Sequence, residues 1–452
     1  MILRVFAAFF LFVFFVERIV WYEALALSLS LYFLLDLVDS IGKKMPFLEI
    51  VVVIAFLTWL AMPVVAYEVF NEYNELAALW VTFMPTPAPE YFSYALPATL
   101  LFALGLKMPL MGGIWKMSHY NDNLKRYLAN KSYLGLHLIA IGVVATFLAD
   151  VTPEMVRNIV QNFALLTYVG MFYVIYSPFK HKKRVVVLCA GLTVSQSVAS
   201  GMYGQLVFMA VISALILLAG QKISLSKKLF VLSSGVLLIF LIQSIKFEYR
   251  AETWNGLERR SDPALFGRLI WERITNPSEM FQTERVFNMA VRANQGNIVS
   301  KVMNYVPRFE PFAHGRTILE AFAASLAPRF LWPDKPKAGG ADMVCRYLGD
   351  CQSALRGVSY NVGPIGEAYI NFGKLGGCVF MFFYGLLFNF LFKSALLISR
   401  YTPSLILWFP LLFLSFFTME NDILSFINSF VKSAFFTFVI FKLAKLFFKV
   451  SL

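Results

Sequence analysis

"FLEIVVVIAFLTWLAMPVVAYE", Phe47 to Glu68, carries charge only at Glu49 and Glu68. A helix rises about 1.5 Å per residue, so about 20 apolar residues span the roughly 30 Å of hydrocarbon in a bilayer. The stretch is apolar all round, not striped, so it does not read as one face of a soluble helix. Similar runs recur from end to end of the chain. They lie near residues 3–17, 19–38, 47–68, 94–114, 134–150, 156–178, 185–201, 204–221, 229–246, 375–396, 404–419 and 423–447. The predicted fold is therefore an all-α polytopic integral membrane protein with about twelve transmembrane helices. Composition agrees, since 452 residues that are 59% hydrophobic and 15% charged fall outside the range of a soluble domain. The "ALA" at Ala24–Ala26 resembles a signal-peptide cleavage site, but the leading segment holds only Arg4 and further spans follow at once, so the first run reads as a span.

Orientation follows from lysine and arginine in the short loops. Clusters at Lys43 and Lys44, Lys116 to Lys131, Lys180 to Arg184, Lys222 to Lys228, Lys393 to Arg400 and Lys442 to Lys449 fall in every second gap. Those gaps and both termini are expected to be cytoplasmic, in a bacterial inner membrane. The net charge of +13 is then mostly topological; it suits anionic lipid head groups and does not argue for nucleic acid. No phosphate-cradling glycine loop and no zinc-type Cys/His cluster occurs, so no nucleotide or metal cofactor is predicted.

Three regions follow. Residues 1–245 hold the first nine spans, 246–361 form a large periplasmic loop between the ninth and tenth, and 362–452 hold a re-entrant segment and the last three spans. The loop carries twelve arginines and four lysines against twelve acids, whereas the cytoplasmic gaps hold about 4 arginines and about 15 lysines. Lysine there serves topology; arginine in the loop serves something else. Its planar fork binds phosphate or carboxylate oxygens in two parallel hydrogen bonds. Two readings stand: an anionic ligand such as a lipid diphosphate, or pairing with the equally numerous acids.

Within the loop, "PALFGRLIWERI" (Pro263–Ile274) reads as a short amphipathic helix behind a capping Ser261 or Asp262. "TILEAFAASLAP" (Thr317–Pro328) reads as an interfacial helix, too short to span. Pro328, Pro333 and Pro336 then fix a turn on which Arg329, Lys335 and Lys337 are expected to project at head-group depth, with Trp332 as anchor. Cys345 and Cys351 in "CRYLGDC" face the oxidising side and are expected to form a disulfide. In "NVGPIGEAYINFGKLGG" (Asn361–Gly377), glycines and a proline at membrane depth mark broken backbone, tolerated only where it is buried in protein or lines a wet cavity. Glu367 inside it is the acid singled out as functional, with a structural ion pair as the alternative.

The order "FAHGRTILEAF", "APRFLWPDKP", "GEAYINFGKLGG", closing a long exported loop, resembles the bacterial Wzy family of oligosaccharide repeat-unit polymerases. The resemblance spans about Tyr249 to Gly377 in motif form and the remainder in hydropathy alone. It implies a GT-C-like, metal-independent glycosyltransferase acting at the periplasmic face by inversion. Donor and acceptor would be glycans on undecaprenyl diphosphate, and a chain-length-regulating co-polymerase is the partner such enzymes use. Arg316, Arg329 and Lys335 become diphosphate-binding candidates, and Arg250 a second-rank one. Glu367 and His314 become candidates for activating the acceptor hydroxyl: histidine is the residue type that most readily exchanges a proton near neutrality, and Glu367 has the more suggestive position. Tyr369 and Tyr203 are substrate-binding candidates; members often carry an arginine near the glycine turn where this chain has Tyr203.

Two rivals share parts of this pattern. A ligase that transfers finished polysaccharide to lipid A core would use the same fold and donor and also places a histidine late in the large loop. A polysaccharide transporter would show short loops throughout and internal repeats, whereas this chain has a large loop on one side and no obvious repeat. One expectation is testable directly. Thiol labelling of Cys345 and Cys351 should require reductant, and Cys345→Ser should lower stability more than it alters activity; labelling that is the same with and without reductant would contradict the disulfide.

Overall fold

The computed structural model describes residues 2–447 except 113, 115, 132, 150, 202, 256, 257, 260, 328–330 and 356–359. Among these residues six helices are long and apolar enough to cross a membrane: Trp21–Ser40, Phe47–Glu68, Ile159–Tyr176, Leu225–Thr253, Gly363–Ile398 and Ile423–Phe447. Ile2–Val16, Leu134–Ala149, Leu206–Leu218 and Pro403–Leu412 are shorter apolar helices. Ala88–Lys107 and Lys182–Ser200 fill the runs predicted near 94–114 and 185–201. The protein is a helical membrane protein.

The eleventh apolar run does not form the continuous helix its hydropathy predicts. It is a 3-10 turn at Pro403–Trp408, one α turn at Phe409–Leu412 and a second 3-10 turn at Leu414–Phe416. Pro403 and Pro410 withdraw backbone donors there. Trp408, Phe409, Phe413, Phe416 and Phe417 are all buried in an aromatic core, where the Phe416 ring centre lies 4.2 Å from that of Phe388 and Phe413 packs edge-on to Phe47. Protein surrounds this run, so its apolar character comes from tertiary packing.

Helix pairs approach closely through small residues, the means of association where lipid offers no hydrophobic drive. A Cβ at Gly105 would lie 2.2 Å from the Phe382 carbonyl oxygen, and one at Gly385 would lie 2.2 Å from that of Phe102. Ala88–Lys107 and the long arm of Gly363–Ile398 are thus in backbone contact. Asn389 donates to the carbonyls of Gly105 (3.1 Å) and Met108 (2.8 Å), tying the long arm to the end of Ala88–Lys107. Gly135 and Gly170 join a second pair in the same way.

The predicted break in the re-entrant stretch falls at Gly373, with φ 64° and ψ −160°, a region only glycine populates readily. It divides Gly363–Ile398 into a short arm and a long arm. Gly377 of the long arm packs on Ala368 of the short one, so the chain doubles back, and the Tyr94 hydroxyl holds the short arm by donating to the Ile365 carbonyl (2.6 Å).

The loop is ordered by helices Pro263–Thr275, Thr283–Ala293, Gly296–Tyr305, Arg316–Leu326 and Ala341–Leu348. The predicted cap at the first is Asp262, whose side chain accepts from Leu265 N at 2.9 Å. Many loop arginines are structural. Arg273, 1% exposed, donates to Glu248 and Glu279 at 2.5 Å each, and Arg285 joins the same acids. Arg292 pairs with Glu420 and Arg346 with Glu310. The Cys345–Cys351 disulfide is formed. Beside it, hydrogen bonds from Ser353 and then Tyr360 hold the Asp350 carboxyl below the usual carboxylate range.

Gly385→Val would force apart two helices already in backbone contact. It should cost at least the 1–3 kcal/mol or so typical of overpacking, read as a lower melting temperature in detergent. Leu375→Val, at a side chain 86% exposed, should leave the melting temperature unchanged; equal stability of the two variants would contradict the packing argument.

Candidate functional site

The break at Gly373 ends the short arm early and orphans its last carbonyls. The loop fills them: Ala313 N donates to the Ile370 carbonyl at 2.9 Å and His314 N to the Asn371 carbonyl at 3.1 Å. Gly315 N donates to the Asn371 side-chain oxygen at 3.0 Å. Two left-handed residues in succession, His314 (φ 49°) and Gly315 (φ 86°), then turn the chain into the helix that begins at Arg316. A histidine in that conformation is strained by about 1–3 kcal/mol, and three hydrogen bonds, one to Ile370 and two to the buried Asn371, hold it there.

Beneath this turn lies a closed polar network. Asn371, fully buried, donates to the Thr317 hydroxyl (2.7 Å) and the Glu367 carbonyl (2.8 Å). The Thr317 hydroxyl donates to Glu367 Oε1 at 2.8 Å, and Ile423 N donates to Glu367 Oε2, also at 2.8 Å. Glu367 is only 2% exposed and both of its oxygens are engaged. It ties the loop helix Arg316–Leu326 to the start of Ile423–Phe447. Asp422 caps the same helix, accepting from Ser425 N at 2.7 Å. As placed, Glu367 is a positioning group under the turn, held by hydrogen bonds instead of the ion pair weighed from sequence.

His314 and Arg316 stand above it, exposed. Arg316 Nε is 3.8 Å from Glu320 in a half-exposed pair, a contact worth little in water. Tyr369 is buried, with its ring 5.1 Å from Tyr94 and 5.9 Å from Phe312. It packs the site instead of facing a substrate. The structure thus brings Glu367, His314, Arg316 and Tyr369 into one neighbourhood.

The other candidates lie elsewhere. Lys335 does not project outward; its ammonium donates to the Ala324 (2.7 Å) and Ala327 (2.8 Å) carbonyls and caps the end of Arg316–Leu326, whose last carbonyls would otherwise lack donors. Arg329 lies outside the described residues. Tyr203 is buried and stacked on Phe266, its ring 5.6 Å away, so it offers no substrate surface in this packing. Arg250 donates twice to the Gly201 carbonyl (3.0 and 2.8 Å) and lies 4.2 Å over the Trp254 ring. Arg250 thus sits beside the Gly201 turn, reaching it from a different helix.

A second cationic group surrounds Glu420. Arg292 grips it with both guanidinium nitrogens (2.5 and 2.8 Å) and Gln295 adds a third donor at 3.2 Å. Lys246, one helical turn before Arg250, lies within electrostatic range of Arg250, Arg292 and Glu420. Sequence reading passed over Thr317, Asn371, Arg292, Glu420 and Lys246. Asn371 had a signal, its i, i+4 spacing from Glu367 on a helix; Arg292 and Glu420 are 128 residues apart and had none.

Thr317→Val keeps the shape but removes the donor to a buried carboxylate. It should cost about 1–3 kcal/mol and speed backbone hydrogen exchange at Ala313–Gly315. Glu320→Gln, on the exposed side of the same helix, should do neither. Unchanged exchange in the valine variant would sink the positioning role of the network.

A family model described as a domain of unknown function (DUF8712) matches residues 93–450. No curated protein and no solved structure matches the chain. The matched region contains the loop, the broken helix and every site residue named above, and covers most of the chain. The chain belongs to the DUF8712 family.

Proposed function

We propose that this protein is a Wzy-type polymerase. It joins undecaprenyl-diphosphate-linked oligosaccharide units at the periplasmic face of a bacterial inner membrane, in a GT-C-like arrangement of about twelve crossings. The observation that carries the reading is the convergence of two motif segments some fifty residues apart. "FAHGRT" and "GEAYINFG" meet through the Thr317–Glu367 and Gly315–Asn371 hydrogen bonds, which fix the turn that bears an exposed histidine and an exposed arginine two residues apart.

The chemistry asks for what these residues offer. An acceptor hydroxyl oxygen attacks the anomeric carbon of the donor glycan, the bond from that carbon to the diphosphate oxygen breaks, and configuration inverts. The hydroxyl proton goes to a base, for which His314 is the exposed titratable group. Negative charge grows on the departing lipid diphosphate, and preorganised cations stabilise it most where water is scarce. Arg316 serves that purpose at the turn, and Lys246, near the exported end of Leu225–Thr253, adds positive charge beside the Arg292–Glu420 pair. Glu367 acts through the turn that it holds.

One observation also favours the ligase reading. The exposed His314 lies late in the loop and is followed directly by the helix Arg316–Leu326, the arrangement a ligase of O-antigen type uses.

Purified protein given polyprenyl-diphosphate-linked repeat units, without metal or nucleotide, should produce a ladder of products on a gel. His314→Ala should slow it by roughly 10² to 10⁴-fold, and Arg316→Ala should abolish it while the protein stays in the membrane. Lys337→Ala should leave the ladder intact. Transfer only after addition of lipid A core would establish a ligase, and no transfer with either acceptor would return weight to transport.

A further inference from the structure

The end of the molecule opposite this site holds a cavity that none of the foregoing uses. Lys228 and Arg250 lie 22 residues apart on one helix, Leu225–Thr253, hence about 33 Å at about 1.5 Å per residue. At the Lys228 end a cavity of about 640 Å³ is lined by Lys43, Lys116, Lys222 and Lys228, with Ile41 and Ile223 among its apolar walls. No acid lines it. A recess of about 630 Å³ adjoins it across Ser118, Gly220 and Gln221 and brings Lys125 and Lys182 against a single acid, Asp122.

The cavity is built and fixed. Lys228 is 8% exposed and donates to the Val38 (2.9 Å) and Asp39 (3.2 Å) carbonyls, so its charge is anchored at the end of Trp21–Ser40. Gly42 and Gly220, at φ 83° and 78°, press their turns into place: a Cβ at Gly42 would lie 2.6 Å from the Gln221 carbonyl oxygen, and one at Gly220 would lie 3.1 Å from Asn121 Nδ2. Asn121 in turn donates to the Ala219 carbonyl at 2.9 Å. Lys43 is paired with Asp39. Lys116 and Lys222 are exposed and have no recorded partner among the described residues.

Charge gathered only by the positive-inside tendency would be spread over separate loops. Here three lysines from three loops and Lys228 from the helix Leu225–Thr253 converge on one concavity, and a compact ammonium is a strong phosphate binder that does not demand forked geometry. Position selects the source of the phosphate. Ile41 directly follows the Trp21–Ser40 span and Lys222 to Ser224 directly precede Leu225–Thr253, which sets the cavity at head-group depth with apolar wall for the glycerol and upper acyl chain. We infer that this cavity binds the phosphate head group of an anionic membrane lipid, at the lysine-rich end remote from the proposed catalytic turn. The inference does not rest on the polymerase reading.

Full-length protein in neutral detergent is titrated with phosphatidylglycerol, phosphatidylcholine and inorganic pyrophosphate, and its melting temperature is followed. Phosphatidylglycerol should raise it saturably and phosphatidylcholine should not, with the effect fading at high salt. The triple variant Lys43→Gln, Lys116→Gln, Lys222→Gln should bind about a hundredfold more weakly, as three lysines near an anionic surface imply. The same three positions changed to arginine should keep the response. Should the glutamine variant fail to fold, Lys222→Glu alone, at an exposed side chain, gives the same reading. Saturation by pyrophosphate without a lipid effect would assign the phosphate site to a soluble compound and overturn the lipid as its occupant. Equal affinity for the two lipids, or affinity unchanged in the glutamine variant, overturns the site itself.

Discussion

A helix that breaks inside a membrane must find donors for the carbonyls it orphans, because hydrocarbon supplies none. At Gly373 that requirement organises the half of the molecule that carries the large loop. The loop docks on the broken end through the backbone of Ala313 and His314, and the Asn371 side chain completes the docking with Gly315. Glu367, one turn earlier, links the docked loop to the final span. The buried carboxylate, the threonine and the asparagine satisfy one another, so a polar cluster that would be expensive if half-made is complete. Strain at His314 is tolerated because its neighbours leave the backbone nowhere else to go.

Much of the fold was legible because apolar runs of spanning length have few alternatives. The re-entrant break was legible too, since glycines and proline at that depth have only a few uses. The eleventh run was misread for a physical reason. "SLILWFPLLFLSFF" has the hydropathy of a membrane span, and hydropathy does not distinguish a side chain facing lipid from one packed between Phe388 and Phe47. Proline at two positions was the available hint, and the density of phenylalanine, each needing a ring partner, was the other.

The site was legible in outline and misassigned in detail. His314, Arg316 and Glu367 do fall in one place. Lys335 and Arg250 were read as ligand-facing because a sequence displays their charge, whereas their partners are backbone carbonyls at Ala324, Ala327 and Gly201. Such partners have no residue identity to recognise. The same blindness hid Arg292 and Glu420, whose pairing depends on two segments meeting far along the chain. Arginine enrichment in the loop had two open explanations, and Arg273, Arg285, Arg292 and Arg346 are accounted for by acids, which narrows the set available to a ligand.

The hydrogen bond from Ile423 N to Glu367 also sets an order of assembly. Chains emerge from the ribosome N-terminus first and begin to fold as they do so. The loop, the broken helix and the histidine turn are all made before the last span exists. Until Ile423 arrives, one oxygen of a carboxylate destined for burial has no donor within the protein, and the aromatic core around Phe416 lacks Phe426 and Phe430. The final helix is therefore the closing piece of the candidate site, whose carboxyl pairing is complete only once the C-terminal segment is in place.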